Sequence, residues 1–376
     1  MSATPIYLDY NATTPLDERV LEAMLPYFRT HFANANSVHL SGLVVREVVE
    51  NASEQLAALI GASPNDILHT SGATESINLA LKGLQSTERN HIVTVTTEHK
   101  AVLDTCRFLE EQGFRITRVP VDAEGLVNEV ELENAVTEDT LCVSVMLANN
   151  ETGVIHPIRN ISGIAHARGA LMLCDATQAV GKIPVNVREP GIDLLALSAH
   201  KFYGPKGSGA LWMSPGVKKL LSAQMHGGGH QKGFRSGTLN VPGIVGMGKA
   251  AEVAQAEMAE DAARIGNLRD QLEKELLTVA GAFVNGHPGQ RLYNTTNICF
   301  PGVNADQLIL ALQHISVSSG SACTAATTHP SHVLKAMGLS DQDALSSIRF
   351  SLGRFTTEPE IAETIGRVKL LVGRLT

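Results

Sequence analysis

The chain has 376 residues, of which 44% are hydrophobic and 18% charged, so it can bury a large core and is not disordered. Its 30 Lys and Arg against 38 Asp and Glu give a net charge of −8, and only 4% of the residues are aromatic. This composition argues against a nucleic-acid groove, and the length favours two domains. No apolar run approaches the ~20 residues of a membrane span, and no secretory signal opens the chain. We therefore expect a cytoplasmic globular protein without a nucleic-acid or membrane partner.

Short apolar runs in the middle of the chain predict buried strands. Runs of this kind, without strict alternation, are typical of strands that are covered on both faces in a parallel sheet. The stretches 103–112 and 158–168 between them have helical spacing, so the whole pattern predicts an α/β fold. The runs are Ile92–Val95, Leu141–Ala148, Leu171–Cys174 and Leu194–Leu197.

The C-terminal part of the chain departs from this rhythm. The Gly- and His-containing segment His226–Gly237 predicts an exposed loop. Lys249–Ala280 is rich in Ala, Glu and Leu, and it predicts a long helix that leads into a smaller domain, with a boundary near 255–265. Two more strands, Asn297–Phe300 and Ile315–Ser318, and a closing amphipathic helix are predicted after it.

Polar side chains follow each of the predicted central strands. A single polar residue at a strand end is usually a turn or cap residue. The carboxyl ends of parallel strands meet at one edge of a sheet, however, and functional groups gather there. The residues concerned are Glu98 and His99, Asn149 to Glu151, Asp175 and Gln178, and Ser198 to Lys201.

The segment Ser71–Ser76 precedes a helical run and predicts a site for one phosphate. Backbone N–H groups are free at a helix start, Gly72 lets an anion approach them, and Thr74 adds a hydroxyl donor. An ordinary Ser/Thr cap with Glu75 in the first turn is the alternative. The chain has neither a P-loop nor a G-x-G-x-x-G motif, which argues against a nucleoside triphosphate or a dinucleotide.

A phosphate site, a lysine after one strand and a carboxylate after an earlier strand are the parts that pyridoxal phosphate needs. The lysine binds the cofactor covalently, and the carboxylate keeps the pyridine nitrogen protonated so that the ring can accept electrons. Lys201 and Asp175 are the candidates. Lys182 and Lys206 are rivals, but each lies beside Gly and Pro in a predicted turn.

Residues 317–330 are small and polar, and they predict a flexible loop that carries Cys323. An exposed thiol in a reducing compartment is a candidate nucleophile, and a buried packing role is the alternative. The sparse cysteines, without a C-x-x-C motif, exclude a disulfide scaffold and a sequence-local zinc site. Buried packing suits the remaining cysteines, which are Cys106, Cys142, Cys174 and Cys299.

Arg349 and Arg354 stand close together near the end of the chain. The guanidinium fork of arginine fits a carboxylate in two-point contact, so either residue is a candidate for holding an amino-acid substrate. For one arginine taken alone, a surface salt bridge is the alternative.

A series of segments, spread in order over nearly the whole chain, carries a specific set of motifs. They are YLDYNATTP (7–15), TSGATES (70–76), TEHKAVLD (97–104), ANNETG (148–153), DATQAVGK (175–182), SAHKFYGPKG (198–207), RSGT (235–238) and SSGSAC (318–323). Together they resemble the NifS/IscS-type cysteine desulfurases, which are pyridoxal-phosphate enzymes of fold type I. The resemblance implies a large cofactor-binding domain over 15–258 with a mostly parallel sheet. It also implies a smaller α/β domain, formed by 1–14 and 259–376, that carries the cysteine loop.

The resemblance implies a role for each matching residue. Lys201 would hold the cofactor and move a proton, while Asp175 would bind the pyridine nitrogen and Gln178 the ring oxygen. His99 would stack on the ring and move protons, and Thr238 would reach the phosphate from the second subunit of a homodimer. The remaining implied contacts are Ala73, Thr74, Ser198 and His200 to the phosphate, Asn150 and Arg354 to the substrate carboxylate, and Cys323 as the nucleophile that takes the sulfur.

The implied reaction removes sulfur from L-cysteine and leaves L-alanine and a persulfide on Cys323. The sulfur would pass to a protein acceptor, for which an iron–sulfur scaffold, a nitrogenase-maturation scaffold and a tRNA-thiolation protein are the alternatives. The exposed loop also suggests that Cys323 transiently ligates a nascent iron–sulfur cluster on the scaffold.

Two other functions compete with this one. Another pyridoxal-phosphate enzyme of the same fold, such as a selenocysteine lyase or a class V aminotransferase, is the first, and an aminotransferase would have no use for Cys323. A catalytically dead relative that serves as a sulfur-carrier scaffold is the second. The presence of Lys201, Asp175, His99 and Cys323 together argues against it.

Overall fold

The computed structural model describes residues 5–84, 89–189, 191–319 and 329–375. The strands are β1 Ile6–Tyr7, β2 Ile67–Thr70, β3 His91–Val95, β4 Arg115–Val119, β5 Thr140–Met146, β6 Leu171–Asp175, β7 Leu194–Ser198, β8 Gly209–Met213, β9 Phe283–Val284, β10 Thr295–Cys299, β11 Ile315–Ser316 and β12 Ser347–Ser351. The helices are α1 Glu18–Met24, α2 Pro26–Arg29, α3 Leu40–Ile60, α4 Ala73–Gly83, α5 Lys100–Glu111, α6 Glu129–Ala135, α7 Ile158–Ala167, α8 Val241–Leu276, α9 Ala305–Leu312, α10 His332–Ala336, α11 Asp341–Leu345 and α12 Glu358–Leu375.

A seven-stranded sheet forms the centre of the fold, with strand order β2-β8-β7-β6-β5-β3-β4. The pairs from β7 to β4 are parallel, whereas β8 runs antiparallel to both of its neighbours. Every residue of β3, β5, β7 and β8 is buried, which is why these strands read as continuous apolar runs in the sequence. The predicted α/β fold with a mostly parallel sheet is confirmed.

A second hydrophobic core lies on a smaller antiparallel sheet of order β12-β10-β9. The N-terminal strand β1 pairs in parallel with β11, and Ile6 on this strand and Leu8 just after it lie in this core, so the first residues described pack with C-terminal ones. Helix α8 connects the two cores, since Met247 packs in the large one and Leu272 in the small one. The division into 15–258 and the remainder stays a prediction.

The long helix begins earlier in the chain than predicted. Helix α8 starts at Val241 instead of Lys249, because the Asn240 side chain accepts a hydrogen bond from the Gly243 N–H and Pro242 occupies the first turn. The apolar positions that suggested the helix lie in its second half, which is why the pattern missed the first turns.

A membrane-crossing segment is not found among the described helices: none of them combines the required length with sufficient apolar character.

Candidate active site

A cavity of about 1500 Å³ opens at the carboxyl ends of the parallel strands. Polar residues that follow β3, β5, β6 and β7 line it, together with the start of α4 and the N-terminal segment around Asn11. The predicted site residues that line the cavity are Ala73, Thr74, His99, Asn150, Asp175, Gln178, Ser198, His200 and Lys201.

Lys201 lies on the single turn that follows β7, and its amine faces the N-terminal segment. The Nζ atom donates hydrogen bonds to the carbonyl oxygens of Asn11 and Ala12, each at 2.7 Å. Burial, with a further contribution from the positive charge of Arg349, lowers the pKa of Lys201 to about 8. A substantial fraction of the amine is therefore neutral near physiological pH, as a lysine that bonds covalently to an aldehyde requires.

Asp175 is the last residue of β6 and is 5% exposed. Its Oδ1 atom accepts a hydrogen bond from the Thr177 N–H at 3.0 Å, which orients the carboxylate at the floor of the cavity. The pKa values of Lys201 and His99 are both lowered overall, and the negative charge of Asp175 opposes part of this lowering in each case. Asp175 is thus close enough to act electrostatically on the two other principal residues of the site.

His99 caps the N-terminus of α5 at the cavity wall. Its Nδ1 atom accepts a hydrogen bond from the Ala101 N–H at 3.1 Å, so in the neutral ring the proton is on Nε2. Partial burial lowers the pKa of His99, and Lys201 and His332 add to this effect while Asp175 opposes it. His99 lines the cavity and remains accessible to solvent there.

Gln178 and the active-site lysine, Lys201, donate to the same acceptor, the carbonyl of Asn11, and Gln178 also contacts Lys182. Its Nε2 atom donates to the Asn11 carbonyl at 2.8 Å, and its Oε1 atom accepts from Lys182 Nζ at 2.6 Å. Lys182 was a rival for the cofactor-binding lysine, but it is buried and does not line the cavity.

The start of α4 is open to the cavity and lacks the predicted alternative of a Ser/Thr cap. Its N-cap residue is Gly72, at φ +155°, and no side chain caps the helix. A Cβ atom at Gly209 on β8 would lie 2.5 Å from the Gly72 Cα, so only glycine lets the two backbones approach so closely. Free N–H groups therefore point to the cavity, as a phosphate site requires.

Ser198 and His200 flank this helix start on the opposite side. A Cβ on Gly72 would lie 3.4 Å from the Ser198 Oγ, which shows how near the hydroxyl is. His200 Nδ1 lies 3.0 Å from Thr13 Oγ1. Burial and the positive charge of Lys201 lower the pKa of His200 to about 4, so the ring is neutral at physiological pH. Hydroxyl, imidazole and backbone donors around one helix start fit a phosphate group.

The structure does not bring Arg354 to the cavity, contrary to the predicted substrate role. Its guanidinium is 2.8 Å from Asp261 and 3.0 Å from Asp17, and it stacks over the Tyr203 ring at 4.4 Å. The side chain is buried and satisfied by these carboxylates. Arg354 therefore links α8 to the N-cap of α1.

Arg349 lines the cavity in its place. It pairs with Asp9 at 2.5 Å and donates to the Asn150 carbonyl at 2.9 Å. The alternation of β12 explains the difference, since Ile348 and Phe350 are buried in the small core and the residue between them faces the opposite side. Both arginines are candidates from the residues alone and the resemblance implies Arg354, whereas the alternation of β12 indicates Arg349.

Two further predicted residues are not among the described residues that line the cavity. Thr238 is exposed on the segment before α8. Cys323 lies outside the described residues, but residues on both sides of its loop, Ser318 and His329, line the cavity. The described cysteines are all buried, and burial raises the pKa of Cys106 to about 12 and of Cys299 to about 11. None of these four is an accessible thiol.

Comparisons with known proteins now identify the family. The profile of the family described as aminotransferase class-V matches residues 6–363. The chain belongs to the class-V aminotransferase family. This family depends on pyridoxal phosphate, so the chain is a pyridoxal-phosphate enzyme, as its resemblance to the cysteine desulfurases implied.

Named relatives of this member of the class-V aminotransferase family match nearly its full length. A protein called cysteine desulfurase IscS from Anaeromyxobacter sp. (strain Fw109-5) is 51% identical in an alignment of 381 positions that covers 99% of this chain and 93% of that protein. A solved structure described as a NifS-like protein is 38% identical, with a TM-score of 0.93, over 99% of this chain and 100% of that one. A structure described as SspA in complex with cysteine is 35% identical, with a TM-score of 0.82, over 94% and 100%.

Proposed function

We propose that the chain is a cysteine desulfurase that converts L-cysteine to L-alanine and leaves the sulfur as a persulfide on Cys323. The observation that carries the proposal is the convergence of Lys201, Asp175, His99 and Gln178 on one cavity whose rim includes both flanks of the Cys323 loop. The names of the relatives, and the cysteine bound to SspA, support this substrate.

The cavity fits pyridoxal phosphate, which would supply an electron sink for the substrate's α-carbon. The open start of α4 would hold the phosphate through Ala73 and Thr74, with Ser198 and His200 on the other side. Asp175 would keep the ring nitrogen protonated. Gln178 would donate to the ring oxygen, and His99 would cover one face of the ring.

Arg349 and Asn150 would hold the substrate carboxylate. Arg349 is the arginine whose side chain borders the cavity, and the Asn150 carbonyl already accepts one of its N–H groups. A guanidinium gives a carboxylate two parallel hydrogen bonds, which fix the amino acid's orientation as well as its affinity. The α-hydrogen and the sulfur of the substrate are then presented to different residues.

Lys201, once released by the substrate, would remove the α-proton, because its lowered pKa leaves a neutral amine available. The Cys323 thiolate would then attack the substrate sulfur. An S–S bond forms, the C–S bond breaks, and the electron pair of that bond returns to the substrate carbon, which takes a proton to give the methyl group of alanine. No external oxidant or reductant is needed for this step.

The Cys323 thiol must lose its proton before it attacks, since an unperturbed thiol with a pKa near 8.5 is mostly protonated at neutral pH. The substrate amine and His99 are the two available bases. His99 can accept this proton only when Nδ1 leaves the Ala101 N–H, because the neutral ring already carries a proton on Nε2.

The partners of the reaction follow from the same chemistry. The persulfide sulfur would pass to an acceptor such as an iron–sulfur scaffold protein, in the cytoplasm, and Cys323 would transiently ligate the cluster that is assembled there. The chain would act as a homodimer in which Thr238 reaches the phosphate of the partner's cofactor. The exposed position of Thr238 outside its own cavity is consistent with that arrangement.

A single-turnover experiment tests the proposed function. Holoenzyme mixed with L-cysteine in the absence of reductant is expected to release one alanine per active site and to gain one sulfur atom on the peptide that contains Cys323. Mass spectrometry of the digested protein measures the gain, and amino-acid analysis measures the alanine. Alanine formed with free sulfide and an unmodified Cys323 would instead indicate a lyase, and pyruvate without alanine would indicate neither.

The carboxylate assignment has its own test. Arg349→Lys keeps the ion pair with Asp9 but replaces the fork by a point charge, so we expect KM for L-cysteine to rise about 10-fold or more, with a smaller fall in kcat. Arg354→Lys is the matched control, and it is expected to lower the melting temperature while KM of the folded enzyme stays unchanged. The reverse pattern would restore the role first predicted for Arg354.

A further inference from the structure

Lys182 is a buried lysine that borders the active site without lining its cavity. It lies on the turn after β6, is 6% exposed, and its Nζ atom is 2.6 Å from Gln178 Oε1. Among the residues that the structure describes, no carboxylate forms an ion pair with it. Burial lowers the pKa of Lys182 well below its ordinary value, and the positive charges of Lys201 and Arg349 lower it further, so a lysine at this position requires an explanation.

The Gln178 amide is held from both ends. Nε2 donates to the Asn11 carbonyl at 2.8 Å, while Oε1 accepts from Lys182 at 2.6 Å. Rotating the amide by half a turn would set its oxygen against the Asn11 carbonyl and its NH₂ group against the lysine. Both contacts would then be repulsive, or would leave a buried group without its hydrogen bond.

This orientation decides which group Gln178 offers to the cavity. Asn11 also accepts from Lys201 Nζ at 2.7 Å, so the NH₂ end of the amide lies on the side of the active-site lysine. An amide nitrogen has two hydrogens, and the Asn11 carbonyl uses one of them. The second hydrogen is available to an acceptor beside Lys201.

We propose that Lys182 is a positioning residue that locks the Gln178 amide with its N–H donors toward Lys201 and the oxygen of the cofactor ring. The proposal rests on the function proposed above, because it takes Gln178 as the partner of that oxygen. Lys182 does not touch the cofactor or the substrate, and it acts through Gln178.

The test measures the pH at which the absorption band of the bound cofactor changes. A donor to the ring oxygen favours its anionic form, so losing the donor makes this oxygen and the nitrogen bonded to Lys201 more basic. We expect Lys182→Met, which has a similar length and no donor, to raise the midpoint by about one pH unit. Gln178→Leu is expected to raise it equally, and the double variant no further.

Two more variants separate the hydrogen bond from the charge. Lys182→Gln keeps an N–H donor without the charge, so we expect its midpoint to return toward that of the wild type. If Lys182→Met does not fold, Lys182→Leu, which also lacks a donor, replaces it and is expected to raise the midpoint in the same way. Lys249→Met, which removes a partly exposed lysine paired with Glu252 on α8, is expected to leave the midpoint unchanged. Dissociation constants for pyridoxal phosphate, measured on the same set of apoproteins, provide a second readout.

The outcomes distinguish this proposal from the proposed function. If Gln178→Leu shifts the midpoint and Lys182→Met does not, Lys182 is not a positioning residue while the cofactor assignment stands. Shifts that add in the double variant would show that Lys182 acts independently of Gln178, which also overturns the proposal. If Gln178→Leu has no effect, Gln178 does not contact the ring oxygen, and both the assignment and the proposal fall.

Discussion

Lys201→Ala is expected to lower the turnover of L-cysteine by about 10⁴-fold, because it removes both the covalent attachment of the cofactor and the group that moves the α-proton. The purified variant should lose the cofactor absorption band that persists in the wild type after gel filtration. Turnover is measured as alanine formation, and cofactor retention as absorbance per polypeptide.

Lys182 and Lys206 were rivals for this role, and one experiment separates all three lysines. Reduction of the holoenzyme with borohydride, followed by peptide mapping, is expected to place the pyridoxyl label on the peptide that contains Lys201. A label on Lys206, which is exposed at the rim of the cavity, would contradict the assignment. Lys182 has no direct access to the cavity, so a label there would contradict the structure itself.

The pKa of Lys201 adds a pH dependence to this prediction. The neutral amine is the nucleophile, and burial lowers the pKa from its usual value to about 8. The rate at which apoenzyme captures pyridoxal phosphate should therefore rise with pH through about 8 and then level off. A rate that continues to rise toward the ordinary lysine pKa near 10.4 would mean that the site does not desolvate this amine.

The central sheet and its strand-end residues could be predicted because burial on both faces leaves a local trace. Leu171–Cys174 and Leu194–Leu197 are apolar without alternation, and each is followed directly by polar residues. Strands β6 and β7 are parallel neighbours, so their carboxyl ends lie side by side. The expectation of a parallel sheet was therefore enough to predict that Asp175 and Lys201 lie in the same site.

The contacts made by Asn11 could not be predicted from the same kind of pattern. Its carbonyl accepts from Lys201 and Gln178, and its Nδ2 atom donates to Thr295 at 2.9 Å. These contacts join the N-terminal segment to residues that are far away in sequence, and a backbone carbonyl carries no signal of residue type. Only the tertiary packing reveals that the lysine and the glutamine share one acceptor.

The different positions of Arg349, which lines the cavity, and Arg354, which does not, could have been predicted from the sequence. The local pattern did contain the answer, since Ile348, Phe350 and Leu352 alternate into the small core and direct Arg349 away from it. Arg354 follows the turn at Gly353 and lies among Asp17, Asp261 and Glu257. The two-residue periodicity of β12 distinguishes Arg349, which faces away from the small core, from Arg354, which lies beyond the strand, whereas the motif around them does not.

Cys323→Ala is expected to lower alanine and sulfide formation from L-cysteine by at least about 10³-fold while the enzyme keeps its cofactor. The cavity residues that bind cofactor and substrate are untouched by this change, so addition of L-cysteine should still alter the cofactor spectrum. Only the step that breaks the C–S bond lacks its nucleophile. The measurement is alanine formation with a reductant present, together with spectra recorded before and after the substrate is added.

Cys106→Ala is the matched control for Cys323→Ala, because Cys106 is a buried thiol on α5 whose pKa burial raises to about 12. It is expected to retain turnover, since a protonated thiol in the core neither attacks the substrate nor reaches an acceptor. Undiminished alanine formation in Cys323→Ala would mean that sulfur leaves by direct elimination, as in a lyase. Loss of turnover together with loss of the spectral response would show that the loop serves binding, and the persulfide would then need another residue to carry it.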